Sequence, residues 1–168
     1  MVPPFPLLPD KIIAPSALTQ AVARRQANGE RIVFTNGVFD LLHVGHARYL
    51  AEARALGDAL IVAVNTDSSV RGLKGPLRPI VPEEERMEML AALTAVDYVT
   101  PFSTPTPVPL LEAVRPALYV KGGDYTAENL PEAPVVRGYG GHVQILSLVA
   151  GRSSTDIIGR VRAAYCQE

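Results

Sequence analysis

The stretch FTNGVFDLLHVGHARYL, residues 34–50, begins as the end of an apolar strand and finishes as an amphipathic helix. The turn between them carries Asn36, Gly37, Asp40, His43 and His46. Arg31–Thr35 is a short β-branched and aromatic run, and the apolar residues of Val44–Leu56 recur at helical spacing. The next run, ALIVAVN (Ala59–Asn65), is apolar on every side, as a strand covered on both faces must be. A β-α-β unit follows, and with it a parallel sheet.

Working outward, Ser16–Asn28 has helical periodicity and closes at Asn28-Gly29, the usual chemistry of a helix C-terminus. Beyond the central unit the pattern predicts a helix around Pro82–Thr94 and a strand at Tyr98–Pro101. A helix at Val108–Val114, strands near Leu118–Val120 and Val143–Leu146, and a last helix over Ser154–Tyr165 complete the chain. Five strands alternating with helices specify a single α/β domain on a doubly wound, parallel, five-stranded sheet. It is expected to occupy residues 11–168, behind an irregular arm of residues 1–10 that holds four of the fifteen prolines.

Sixteen basic and seventeen acidic residues nearly cancel, so no basic face points to nucleic acid. One cysteine, Cys166, excludes an intrachain disulfide and agrees with a reducing compartment. No stretch approaches the roughly 20 apolar residues of a membrane span, and the N-terminus lacks a signal-like core. A cytoplasmic protein with no membrane partner is expected.

In such a sheet ligands bind beyond the carboxyl ends of the strands. Four of the five strands are followed there by polar clusters: TNGVFDLLHVGH (35–46), NTDSSVRGLKGPLRP (65–79), KGGDY (121–125) and GRSST (151–155). Glycines let backbone N–H groups approach a ligand, and helix N-termini favour anions, so four clusters together point to a phosphate-bearing ligand. Neither GxGxxG after the first strand nor GxxxxGK[ST] anywhere is present, which argues against NAD enzymes and P-loop kinases. A zinc site at His43-x-x-His46 fails on supply, because only His142 and Cys166 remain as soft ligands; no metal-ligating residues are assigned. Two readings of the histidines stay open. Both imidazoles face one ligand and donate to it, or His43 caps the turn and His46 packs against the sheet.

TNGVFDLLHVGH resembles the signature of the nucleotidyltransferase superfamily that carries an HxGH motif, and GRSST resembles its C-terminal SST motif. From about Lys11 to Val161 the chain is similar to the D-glycero-β-D-manno-heptose 1-phosphate adenylyltransferases, the ADP-heptose synthases of the lipopolysaccharide inner core. The residues that favour this subfamily are FTNGVFDLLHVGHARYL, LIVAVNTDSSVRGLKGPLRPIVPEEERMEMLAAL (60–93), AVDYV (95–99) and LYVKGGDY (118–125). One departure is that the family's SST motif often continues to an arginine three residues after the threonine, whereas here Arg160 lies two residues beyond that place.

The resemblance implies a Rossmann-like fold and direct attack of a sugar 1-phosphate on the α-phosphorus of ATP, with Mg2+ held largely by phosphate oxygens. His43 and His46 would donate to the α- and β-phosphates, and Lys74, with Arg78, would fold over them from a loop. Thr35, Asn36, Gly37, Val38 and Phe39 form the nucleotide turn by the same match. Asn65 and Asp67 would read ribose or acceptor; Lys121, Gly122, Gly123 and Asp124 would bind nucleotide or sugar phosphate. Ser153, Ser154 and Thr155 would hold the β- and γ-phosphates. For Asp40 the expected role is to fix the turn or assist the metal; for Arg86, an ion pair with Glu83, Glu84, Glu85 or Glu88 competes with a phosphate role. Lys11 either closes over the triphosphate or is solvated. A separate sugar kinase would supply the acceptor, and a homodimer or larger assembly is implied. The rival readings are a cytidylyltransferase acting on a small phosphorylated alcohol such as glycerol 3-phosphate, and a non-catalytic nucleotide-binding module.

Overall fold

The computed structural model describes residues 10–123, 129–147, 151 and 153–165. Its strands are β1 (Ile32–Gly37), β2 (Ala59–Asn65), β3 (Tyr98–Phe102), β4 (Leu118–Gly122) and β5 (His142–Leu146). The helices are α1 (Pro15–Ala27), α2 (Val44–Arg54), α3 (Asp67–Lys74), α4 (Glu83–Ala91), α5 (Val108–Val114), α6 (Ala133–Gly138) and α7 (Ser154–Tyr165). All strand pairs are parallel, in the order β3-β2-β1-β4-β5. The doubly wound five-stranded sheet is as expected. Two helices, α3 and α6, stand where the sequence suggested only loop.

β2 shows why the sheet must be covered on both sides. Leu60, Val62 and Val64 point into one core with Tyr49, Leu50 and Ala53 of α2 and Met87, Leu90 and Ala91 of α4. Ala59, Ile61 and Ala63 point into the other, against Leu18 and Val22 of α1, Leu110 and Leu111 of α5, and Val136 of α6. Each fully buried aliphatic side chain of this kind is worth about 1.5–3 kcal/mol, so the two cores fix the sheet and leave its carboxyl edge free for ligand. α7 contributes no buried residue, and no helix among the described residues is long and apolar enough to cross a membrane.

The strand order reverses between β1 and β4. Their ladder runs through Val33–Leu118 and Phe34–Tyr119, whereas β1 pairs with β2 from Ile32–Ala59 to Gly37–Val64. A reversal of this kind leaves a crevice at the carboxyl ends of the two central strands, which is where α/β sheets take their ligands.

Candidate active site

The crevice is a cavity of about 300 Å³. Asn36, Gly37, Val38, Phe39 and Asp40 supply its β1 side, and His43, Gly45, His46 and Tyr49 come from the start of α2. Lys74 and Arg78 line one rim, Lys121 and Gly122 the end of β4, and Ser153, Ser154 and Thr155 the start of α7. All four polar clusters therefore converge on the cavity, those after β1 and before α7 through three or more residues each and those after β2 and β4 through two each.

The turn after β1 is built around Phe39, whose φ of 50° is left-handed and costs roughly 1–2 kcal/mol for a non-glycine residue. Burial of its ring to 6 % exposure offsets that strain. A side chain at Gly37 would stand 3.0 Å from this ring, so glycine keeps the backbone of the turn open to the cavity. Asp40 ties the turn down. Its carboxylate accepts from the amides of Ile80 (2.8 Å) and Val81 (3.0 Å) and from the Arg78 guanidinium. Burial opposes the charge on Asp40, but the Val81 amide, Arg78 and the Ile80 amide outweigh it and hold the carboxyl below its usual range. Of its two expected roles, the geometry supports fixing the turn.

That contribution to stability is present above the ordinary carboxyl pKa of about 3.9 and is lost as pH falls through the lower folded value. Asp40→Asn, which keeps one acceptor oxygen, should cost about 1–3 kcal/mol at pH 7 and progressively less on acidification. Urea unfolding at pH 7 and pH 3 measures this; an equal cost at both would mean that the charge of Asp40 is not what matters.

His43 occupies the N-cap position of α2 but makes no side-chain cap hydrogen bond. Its ring stacks on that of His46, with centroids 3.9 Å apart and planes inclined by 23°. Both imidazoles thus lie on the cavity side, and His46 also packs on Phe39 at 5.3 Å. The two readings of the histidines merge in part: His46 packs, and it faces the cavity. Burial, and then the adjacent His43, push the His46 pKa down to about 4, so this ring is neutral near pH 7. Its Nδ1 is buried without a hydrogen-bond partner, which leaves Nε2 as the nitrogen available to a ligand.

Asn36 is held by its side-chain oxygen, which accepts from Tyr119 (2.7 Å) and from the Lys121 ammonium (3.0 Å). A lysine has only donors. The amide orientation is therefore fixed by chemistry, and the Asn36 NH2 group remains to donate elsewhere. At the far wall the Ser153 hydroxyl accepts from the Asp156 amide (3.0 Å), a helix cap, while Ser154 donates to the Leu41 carbonyl (3.2 Å). That Ser154 bond ties the turn before α2 to the start of α7, and helix N-termini favour anions.

Several expected site residues stand elsewhere. Thr35 is fully buried and shares a 2.7 Å hydrogen bond with the Tyr49 hydroxyl. Tyr49 gives its own proton to Val120 O, so Thr35 is the donor and its hydroxyl is spent on packing the strand. Asn65 is 5 % exposed and donates to Ser69; Asp67 accepts from Arg86. Neither lines the cavity. Arg86 is 1 % exposed and pairs with none of its neighbouring glutamates. It donates to the carbonyls of Val81 (2.9 Å), Val38 (2.6 Å) and Asn65 (2.9 Å) and to the Asp67 carboxylate (2.7 Å). Arg86 is a core stitch between the β1 turn, the end of β2 and the start of α4, not a phosphate ligand. Lys74 is the last residue of α3 rather than part of a loop, and Lys11 donates to Leu93 O. Gly123 is not among the lining residues; Asp124 and Cys166 lie outside the described residues, as do residues 1–9.

Tyr49 and Gly45 were missed from sequence. The signal was present, since Tyr49 follows His46 at i+3 and so shares its face of α2.

A model of the cytidylyltransferase-like family matches residues 34–160. The bifunctional protein HldE of Geobacter sulfurreducens is 50% identical over 151 residues, which cover 90% of this chain and 31% of that protein. HldE of Photobacterium profundum is 52% identical over 151 residues, 90% of this chain and 32% of its own length. The chain thus spans about a third of the length of these curated relatives. A solved structure described as the lipopolysaccharide core biosynthesis protein from Thermoplasma volcanium GSS1 is 31% identical, with a TM-score of 0.59 over 72% of this chain and 98% of that one. The matched span opens on the β1 strand and turn and closes within α7, the two segments that face each other across the cavity, and the chain belongs to the cytidylyltransferase-like family.

Proposed function

We propose that the protein is an adenylyltransferase that moves AMP from ATP to a sugar 1-phosphate, D-glycero-β-D-manno-heptose 1-phosphate, releasing pyrophosphate and forming ADP-heptose. The observation that carries this reading is the pair of stacked imidazoles at the start of α2, facing the start of α7 across a cavity rimmed by Lys74, Arg78 and Lys121. The identity to HldE proteins and the likeness to a lipopolysaccharide core biosynthesis protein support the heptose acceptor.

An oxygen of the sugar phosphate attacks the α-phosphorus of ATP; the bond to the bridging oxygen breaks and pyrophosphate leaves. The nucleophile is already ionised at neutral pH, so no protein base is required. What the site must supply is alignment of two polyanions and donors for the charge that moves to the leaving group. Neutral His46 donates from Nε2 to the phosphates. The amides of the Gly37–Phe39 turn and the α7 start cradle the remaining phosphate oxygens. Among the described residues no group of three or more His, Cys, Asp or Glu could hold a metal ion, and Asp40 is committed to its own turn. A magnesium ion held by phosphate oxygens would neutralise part of the triphosphate charge. ATP as donor places the reaction in the cytoplasm, downstream of a kinase that phosphorylates the sugar.

Pyrophosphate release with magnesium, for ATP, CTP and GTP against heptose 1-phosphate, glycerol 3-phosphate and phosphocholine, tests the proposal. Release with ATP and the heptose phosphate alone is expected. Release with CTP and an alcohol phosphate would replace donor and acceptor, and nucleotide binding with no turnover in any pair would leave a non-catalytic binding module.

A further inference from the structure

Tyr119 has no part in the chemistry above. It is fully buried in the core beneath α1, α5 and α6, and its ring packs near Phe34 with centroids 6.3 Å apart. It is not among the residues that line the cavity. Its hydroxyl nevertheless ends on one that is, donating to the side-chain oxygen of Asn36 at 2.7 Å.

Strand register explains the contact. The ladder between β1 and β4 holds the pairs Val33–Leu118 and Phe34–Tyr119. Alternate residues of a strand share a face, so Asn36, next after Phe34 on that face, and Lys121, next after Tyr119, meet at the mouth of the crevice. There the Lys121 ammonium donates to the same Asn36 oxygen at 3.0 Å, and both residues line the cavity. An amide oxygen has two lone pairs; with both engaged, Asn36 offers a ligand only the hydrogens of Nδ2. The two donors differ in kind. Lys121 carries a flexible cation at the cavity, and an arriving phosphate competes with Asn36 for it. Tyr119 is locked by its packing and cannot follow the ligand.

We infer that Tyr119 is a positioning residue: its hydroxyl keeps the Asn36 amide turned with Nδ2 towards a substrate phosphate, while the Lys121 ammonium is free to swing from Asn36 to that phosphate. The inference rests on the phosphate-binding role proposed for this cavity. Without the hydroxyl, departure of Lys121 releases the amide to flip, and its oxygen then faces the phosphate, acceptor against acceptor. On the opposite face Tyr49 bridges the same two strands through Thr35 and the Val120 carbonyl. The strands therefore keep their spacing in Tyr119→Phe, and only the amide is set loose.

Isothermal titration calorimetry with ATP and, separately, with heptose 1-phosphate tests this on wild type, Y119F, N36A and Y119F/N36A. Y119F should bind at least one of the two ligands about tenfold more weakly, the scale of one lost hydrogen bond. In the N36A background the same change should cost nothing further, because Tyr119 acts through the amide. A hydroxyl that served folding alone would weaken binding equally with and without Asn36. Asn36→Asp probes the same point with Tyr119 intact: it keeps an oxygen for Tyr119 and Lys121 but replaces Nδ2 by a charged oxygen, and should weaken binding about a hundredfold through like-charge repulsion. Equal affinity of wild type and Y119F for both ligands, equal losses from Y119F in both backgrounds, or wild-type affinity in N36D would overturn the inference. A wild type that binds both ligands yet releases no pyrophosphate would overturn the proposed reaction, while the titrations still decide the role of Tyr119; one that binds neither would overturn both.

Discussion

His46→Ala should lower kcat about a hundredfold, since one well-aimed donor to the developing charge is typically worth about 3 kcal/mol. KM for ATP should change little, because the amides, Lys74 and Lys121 still bind the phosphates in the ground state. The fold should survive, as the lost ring stacks on His43 and the Phe39 edge rather than filling either core. The pH behaviour separates this from a packing effect. With a folded pKa of about 4 against an ordinary 6.5, the unfolded chain binds a proton first as pH falls. Stability conferred by a neutral His46 is thus complete above pH 6.5 and declines towards pH 4. His46→Ala should flatten that decline while lowering turnover about a hundredfold. Equal losses of stability and activity at pH 7.5 would instead show that His46 serves packing alone.

Arg86→Met should be the most destabilising single change. It removes four hydrogen bonds at once, leaving the carbonyls of Val38, Asn65 and Val81 and the Asp67 carboxylate without their donor. Breaking a buried ion pair from one side costs about 3–5 kcal/mol. For a domain of this size each kcal/mol lowers the melting temperature by about 2–4 °C, so a fall of about 10 °C is expected in differential scanning calorimetry. Because Arg86 also fixes Val38 in the phosphate turn, the variant should lose activity even well below its melting point. A melting temperature within 2 °C of wild type would show that the guanidinium is replaceable by its apolar stem.

These two residues mark what the sequence could and could not disclose. The central β-α-β unit was legible because ALIVAVN has no polar side and so demands cover on both faces, and because the histidine turn interrupts an otherwise regular pattern. α3 was hidden: DSSVRGLK buries only Val70, and its Thr66 cap looks like any other loop threonine. α6 is six residues long and contains Pro134 and Gly138, composition that reads as a turn. Arg86 was misjudged for a different reason. Four glutamates on the same helix suggest a solvated face, but spacing along a helix does not say which charges turn inward when three carbonyls await a donor. Thr35 lies next to the lining residue Asn36 in sequence but spends its hydroxyl on Tyr49, while Asn65 and Asp67 end β2 and open α3 and are engaged by Ser69 and Arg86.

The most direct measurement is a single turnover with ATP carrying a labelled α-phosphate and heptose 1-phosphate, following where the label goes. In-line transfer predicts that the label leaves with the sugar in a nucleoside diphosphate sugar, one pyrophosphate per product, and that none stays on the protein. Label retained on the protein, or no label on the sugar while wild-type folding and nucleotide binding are intact, would contradict the assignment of this site to adenylyl transfer.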